Sequence, residues 1–157
     1  LIQRMKTVKE TKQKLYKGCL DFVENRFQTI QNTIKEIQES LTSETKSSAG
    51  DKHETGRAML QLEREKAGHQ LAEIQKIREH LSRINIEAPS KTVGLGSLVY
   101  TTQSNYFIAI SAGEIVLDSE SFYAISSATP MAQLLISKTV GDKIQFRNAT
   151  ITITEIV

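Results

Sequence analysis

The sequence predicts an α+β protein, in which a long antiparallel α-helical hairpin of coiled-coil character precedes a small β-rich domain with one short helix. Three observations predict it. Apolar residues recur in steps of three and four through the first half; Pro89 and Pro130 are the two prolines, so nothing interrupts that half; and short β-type runs crowd the remainder.

The first helix is read from Ile2, Met5, Val8, Leu15, Cys19, Phe22, Phe27, Ile30, Ile34, Ile37 and Leu41, which from Leu15 onward keep to one side and leave Lys, Glu and Gln outside. A helix that long with one narrow apolar seam needs a partner. Leu60, Ala67, Leu71, Ile74, Ile77, Leu81 and Ile84 supply it with the same spacing. Between the two lies Thr42-Ser-Glu-Thr-Lys-Ser-Ser-Ala-Gly-Asp51, rich in the small polar residues and glycine that end helices. Helices joined by so short a turn pack antiparallel, and the arm they form would be roughly 50 Å long. The expected organisation is a hairpin over 1–87 with its tip near 42–56, a linker over 88–96 and the small domain over 97–157.

The linker is read from Ala88-Pro89, where the proline disfavours a preceding helical residue, and from Gly94-Leu95-Gly96, taken as a hinge. Strands are expected at 97–102, 106–111, 114–118, 122–126, 143–147 and 150–156. Thr150-Ile-Thr-Ile-Thr154 alternates as a half-buried strand does. Residues 130–136 predict a short helix, with Thr129 as N-cap and Pro130 at its first position, where a missing amide hydrogen does no harm.

Charge divides the chain. The net charge of +2 is too small to announce nucleic-acid binding by itself, while residues 1–93 hold 17 Lys and Arg against 13 Asp and Glu and residues 94–157 hold 3 against 5. One cysteine cannot make an internal disulfide, and no apolar run approaches the ~20 residues of a membrane helix. The expectation is a cytoplasmic protein with no membrane partner.

Most catalytic chemistries are poorly served. Cys19 stands at seam spacing, where a thiol packs rather than reacts, and His53, His69 and His80 lack a second ligand at helical metal spacing. Gly94-Leu95-Gly96 is no phosphate loop. The remaining candidate is Gly50-Asp51-Lys-His-Glu54-Thr-Gly-Arg57 at the hairpin turn. Asp51 with Glu54 three residues on also fits helix capping. At the apex of an arm, however, two carboxylates on one side of a first turn form an incomplete Mg²⁺ site, since that ion wants six oxygens.

These residues resemble the bacterial GreA/GreB family of transcript-cleavage factors. Gly50-Asp51-Lys-His-Glu54 looks like the family's tip motif Gly-Asp-x-x-Glu-Asn, and the stretch from Ala124 through Thr129-Pro130-Met131 and Leu134-Leu135 to Val140-Gly-Asp142 resembles a stretch of its second domain. The order of hairpin, linker and small domain matches over nearly the whole chain. Thr55 stands where the family has asparagine, Thr129 precedes Pro130 where it has serine, and Ile136-Ser137 replaces Leu-Gly or Gly, which marks a divergent member.

The resemblance implies an FKBP-like second domain, a docking surface at Thr129, Pro130 and Met131, and RNA polymerase as partner, with nascent RNA and template DNA met indirectly. It implies a transcription elongation factor that places its hairpin in the polymerase secondary channel, where Asp51 and Glu54 serve catalysis as ligands to Mg²⁺ of the polymerase active centre and promote cleavage of backtracked RNA. On that reading the protein is no enzyme by itself and binds no cofactor tightly alone. Two alternatives stand beside it: a polymerase-binding regulator or inhibitor without cleavage activity, and a coiled-coil interaction protein. The cluster Arg4, Lys6, Lys9, Lys12, Lys14 and Lys17 is read as a solvated helix face, with contact to RNA or polymerase acids as its functional counterpart.

Overall fold

A computed structural model describes residues 2–46, 51–88 and 90–157, leaving out the side chains of residues 4, 5, 44–46 and 51–53. Two long helices are followed by a six-stranded mixed sheet with one short helix. The first helix, α1, spans Ile2–Lys46, and the second, α2, spans Asp51–Ser82.

The described residues form two compact units, one of residues 1–22 with 80–157 and the other of residues 23–79. The division falls inside both helices rather than at 88–96.

In the unit 23–79 the helices pair antiparallel. The Arg78 guanidinium meets the Glu24 carboxylate at 2.7 Å and lies 4.6 Å from the centre of the Phe27 ring, whereas Arg64 reaches back to the Gln38 side chain at 3.4 Å. Ile37, Leu41 and Ala67 are buried together, with Ile34 and Leu60 half-buried against them. On α2 the buried positions Ala67, Ile74 and Leu81 recur every seventh residue, the repeat of a coiled-coil seam. From residue 23 to its end α1 climbs roughly 36 Å, because its earlier turns belong to the other unit.

The small domain contains β1 (Leu98–Thr101), β2 (Asn105–Ala109), β3 (Gly113–Leu117), β4 (Glu120–Ser126), α3 (Pro130–Leu135), β5 (Lys143–Phe146) and β6 (Ala149–Ile156). The sheet order is β3-β4-β2-β1-β6-β5. Only β2 and β4 run parallel, and the return between them is made by β3, which pairs with β4 as a hairpin. Alternation along the strands gives the sheet two apolar faces. One carries Val99, Ile108, Ile144, Ile151 and Ile153, packed with Val93 and with Met131, Ala132 and Leu135 of α3. Each such Leu or Ile contributes about 2 kcal/mol through burial.

The opposite face presents Leu98, Phe107 and Phe122, all essentially inaccessible to solvent, with the Tyr100 ring edge-on to Phe122 at 6.1 Å. Here the first turns of α1 supply the cover. A methyl group on Gly18 would lie 3.1 Å from Ile115 Cδ1, so the helix approaches β3 closely at this position. Tyr16 donates its hydroxyl to the Leu81 carbonyl at 2.8 Å, near the end of α2, where that oxygen also accepts from the Ile84 amide at 3.1 Å.

Two readings of the sequence are corrected in this unit. Lys12, taken as part of a solvated basic face, is 5% exposed, and its ammonium donates to the Val157 carbonyl at 3.1 Å. Burial lowers its pKa, since the charged form loses water. Lys6, Lys9, Lys14 and Lys17 do face solvent. Gly96, taken as a hinge, is buried with φ of +89°, and its amide donates to the Ile108 carbonyl at 2.7 Å. Together with the Gly94 amide, which donates to Ser97 Oγ at 2.9 Å, that bond closes a fixed turn. Val93, also placed in the linker, exchanges backbone bonds with Lys138 and Ser137 and is part of the core.

Both two-residue hairpins are built without glycine. Asp118 and Ser119 have φ of 49° and 68°, and Arg147 and Asn148 have φ of 50° and 66°, which is the type I′ pattern that matches strand twist. Serine, unlike the Asp and Asn of these turns, is poorly suited to a left-handed backbone. Ser119→Gly is therefore expected to stabilise the domain by about 0.5–1 kcal/mol, read as a higher denaturant midpoint at unchanged slope. An unchanged or lower midpoint would contradict the left-handed assignment.

Candidate functional site

The hairpin turn is where the sequence places its chemistry. Residues 47–50, which include Gly50 of the tip motif, lie outside the described residues, as does the Asp51 side chain. The backbone of Asp51 is the first of α2, and Glu54, one turn further, is exposed. Helical spacing brings positions 51 and 54 to the same side of that first turn. Acidic residues there are favoured by the helix dipole, which leaves partial positive charge on the unpaired amides. Glu54 is the described carboxylate of the pair, and it is open to solvent. Among the described residues, no group of three or more His, Cys, Asp or Glu side chains comes together to hold a metal ion.

At the second predicted site, Thr129 is the N-cap of α3 and Pro130 its first residue, as the capping chemistry predicts. Thr129 has an extended backbone (φ −70°, ψ 151°), its Oγ1 accepts from the Ala132 amide at 3.3 Å and donates to the Ser126 carbonyl at 2.8 Å, and Pro130 opens α3. Pro130 and Ala128 are exposed, whereas Met131 is 7% exposed and packs into the core. An approaching surface would therefore meet Pro130, with Met131 supporting the corner from below.

The other candidates are placed plainly. Cys19 is fully buried, and burial pushes its thiol up to about 11, with the Ile110 backbone hydrogen-bonding to the sulfur and opposing that rise. At neutral pH it is a neutral packing group. His69 and His80 are exposed on α2, and His53 has its side chain outside the described residues. An open groove on the hairpin is lined by Arg26, Glu65, Lys66, His69, Gln70 and Glu73 together with Leu62, a mixture of signs that selects no ligand class. No helix among the described residues is long and apolar enough to cross a membrane.

One aromatic group was missed in the sequence. Tyr106 on β2 and Tyr123 on β4 stand side by side, ring centres 6.2 Å apart, and the Tyr123 hydroxyl donates to the Glu114 carboxylate at 2.9 Å. That carboxylate raises the Tyr123 pKa by favouring the protonated phenol. Pairing of β2 with β4 across the intervening β3 creates the group, and a strand list without pairings does not contain it.

No protein-family model matches the chain, and no curated protein sequence does. Among solved structures it is similar to a chain described as the transcription factor Gfh1, at 23% sequence identity over 90% of this chain and 92% of that one, with a TM-score of 0.33.

Proposed function

We propose that this protein is a Gre-type transcription elongation factor, which binds RNA polymerase, inserts its hairpin into the secondary channel and stimulates cleavage of backtracked RNA. The reading is carried by one observation: an antiparallel hairpin that buries Ile37, Leu41 and Ala67 between its helices has its second helix beginning at Asp51, with Glu54 exposed one turn on. The residues quoted above as resembling the GreA/GreB tip and second domain support it. An incomplete set of hard oxygen donors on a helical arm suits a site finished by another protein.

In this mechanism Asp51 and Glu54 would be the residues that hold Mg²⁺ of the polymerase active centre, through their carboxylate oxygens, and that orient a water toward the RNA phosphodiester. The metal, when bound, supplies charge neutralisation and an activated water. Their chemistry fits the ion, since Mg²⁺ prefers carboxylate and water oxygens and two carboxylates leave it open to ligands from the partner. Template DNA and nascent RNA are met only through polymerase.

The test is transcript cleavage in stalled, backtracked elongation complexes with and without the full chain, alongside polymerase affinity. Stimulated cleavage with binding supports the proposal. Binding without cleavage replaces it with a regulator or inhibitor of polymerase, and absence of binding leaves a coiled-coil interaction protein.

Docking is assigned to the Thr129–Pro130 corner. Pro130→Glu should weaken polymerase binding roughly tenfold, because a rim contact becomes a charge that must be desolvated. The circular dichroism spectrum should not change, as an acid is well tolerated in the first turn of a helix. Unchanged affinity with unchanged spectrum would move docking elsewhere.

A further inference from the structure

The sheet has two edges, and they are treated differently. At one edge, β5 is four residues long, begins with exposed Lys143 and is followed by Arg147, charges of the kind that discourage pairing with another strand. At the other edge β3, Gly113-Glu-Ile-Val-Leu117, has no lysine and no proline, and its pairing with β4 runs in regular register without a bulge.

The turn fixes which backbone groups of β3 are free. Leu117 and Glu120 flank the two-residue loop, so they form a hydrogen-bonded pair, and the alternation makes Ile115 and Gly113 bond inward to β4 as well. The N–H and C=O groups of Glu114 and Val116 then point away from the sheet. No backbone bond from another element reaches these two residues among the described residues. Beside this edge Val116 is 56% exposed and Tyr123 36% exposed, on the face that α3 leaves uncovered at this end.

Charge selects the occupant. Glu114, Asp118 and Glu120 all lie on the β3–β4 hairpin, and residues 92–137 contain no lysine, arginine or histidine. A second copy pairing through the same edge would bring two such acidic hairpins together, which like-charge repulsion opposes. We infer that β3 is a docking edge for an extended, lysine- or arginine-bearing segment of a partner protein, which adds to the sheet as a seventh strand. Main-chain bonds to Glu114 and Val116 supply the pairing, an apolar side chain of the segment rests on Val116 and Tyr123, and a neighbouring basic one meets Glu114. This goes beyond the proposed role of the tip and does not depend on it.

The experiment pans random ten-residue displayed peptides on the full-length chain and then measures the leading synthetic peptide by fluorescence anisotropy and amide hydrogen exchange. Enriched sequences should alternate apolar and basic residues, and the peptide should slow exchange at the amides of Glu114 and Val116. Val116→Pro removes an outward amide without breaking a bond to β4, so it should weaken binding at least about tenfold with the fold retained. Should that variant unfold, Glu114→Lys, a surface change, must still weaken the same peptide. Enrichment of acidic sequences, failure to recover any binder, or protection elsewhere in the chain overturns the inference. So does a concentration-dependent dimer of the chain that Val116→Pro abolishes, because the occupant is then a second copy.

Discussion

Gly96→Ala should lower the melting temperature by roughly 10–15 °C, corresponding to a loss of about 3–5 kcal/mol. The first reason is contact. A methyl group built on Gly96 would sit 2.4 Å from the carbonyl oxygen of Asn85 and 3.3 Å from both Asn85 C and Ile84 Cγ2. A backbone oxygen cannot swing aside as the end of a long side chain can. The second reason is conformation, because φ at this residue is +89°, where a side chain is strained whatever space it finds. The amide of Gly96 also holds the Ile108 carbonyl at 2.7 Å, so relaxing the turn breaks a bond to the central strands. Gly94→Ala is the matched control: no atom lies within 4 Å of its added methyl, and its effect should stay within about 1 kcal/mol. Thermal melts followed by circular dichroism compare the two. Equal melting temperatures for both variants would refute the locked turn.

The second large effect concerns the tip. Asp51→Ala and Glu54→Ala should each reduce stimulated RNA cleavage by at least ~100-fold, the order expected when a charged group acting in the transition state is removed. Polymerase affinity should change no more than about threefold, since docking is assigned to a different unit of the chain. Glu54→Gln separates charge from size: it keeps the volume and one neutral oxygen but loses the negative charge that favours the cation, so it should behave like the alanine variant. Neutralising an acid in the first turn of α2 also weakens that helix by about 0.3–1 kcal/mol, too little to unfold a seam-packed hairpin. Labelled transcripts resolved on a gel give the rate, and helical ellipticity checks the fold. Wild-type rates from both variants would remove these carboxylates from the mechanism.

The long elements were legible because their signals are periodic and local. Seam residues in threes and fours mark both helices, and Thr129-Pro130 marks the start of α3 by capping chemistry that needs no tertiary information. Val23 was passed over although it is 1% exposed, and the fourfold spacing Leu15, Cys19, Val23, Phe27 could have exposed it. The remaining differences arise from contacts distant in sequence. Lys12 resembles its solvated neighbours until the end of β6 is placed beside it, and Gly96 resembles a hinge glycine until the Asn85 carbonyl is brought against it. Periodicity likewise cannot reveal that the seam changes partner along α1, from the sheet to the other helix. As for the tip, the acidic pair was read from its motif and its location, and residues 47–50 fall outside those described.

Because residues 1–22 and 80–157 build one compact unit, the order of synthesis constrains how it matures. The stretch 23–79 is contiguous in sequence, so its two helical segments leave the ribosome one after the other. The opening turns of α1, with Leu15 and Cys19, must wait until β6 emerges and settles between β1 and β5. During that interval an apolar surface stands uncovered on a nascent chain, which is when a chaperone would be needed. The same logic warns against cutting the gene at residue 97: a fragment holding the strands alone would leave the Leu98, Phe107 and Phe122 side bare and should precipitate rather than fold.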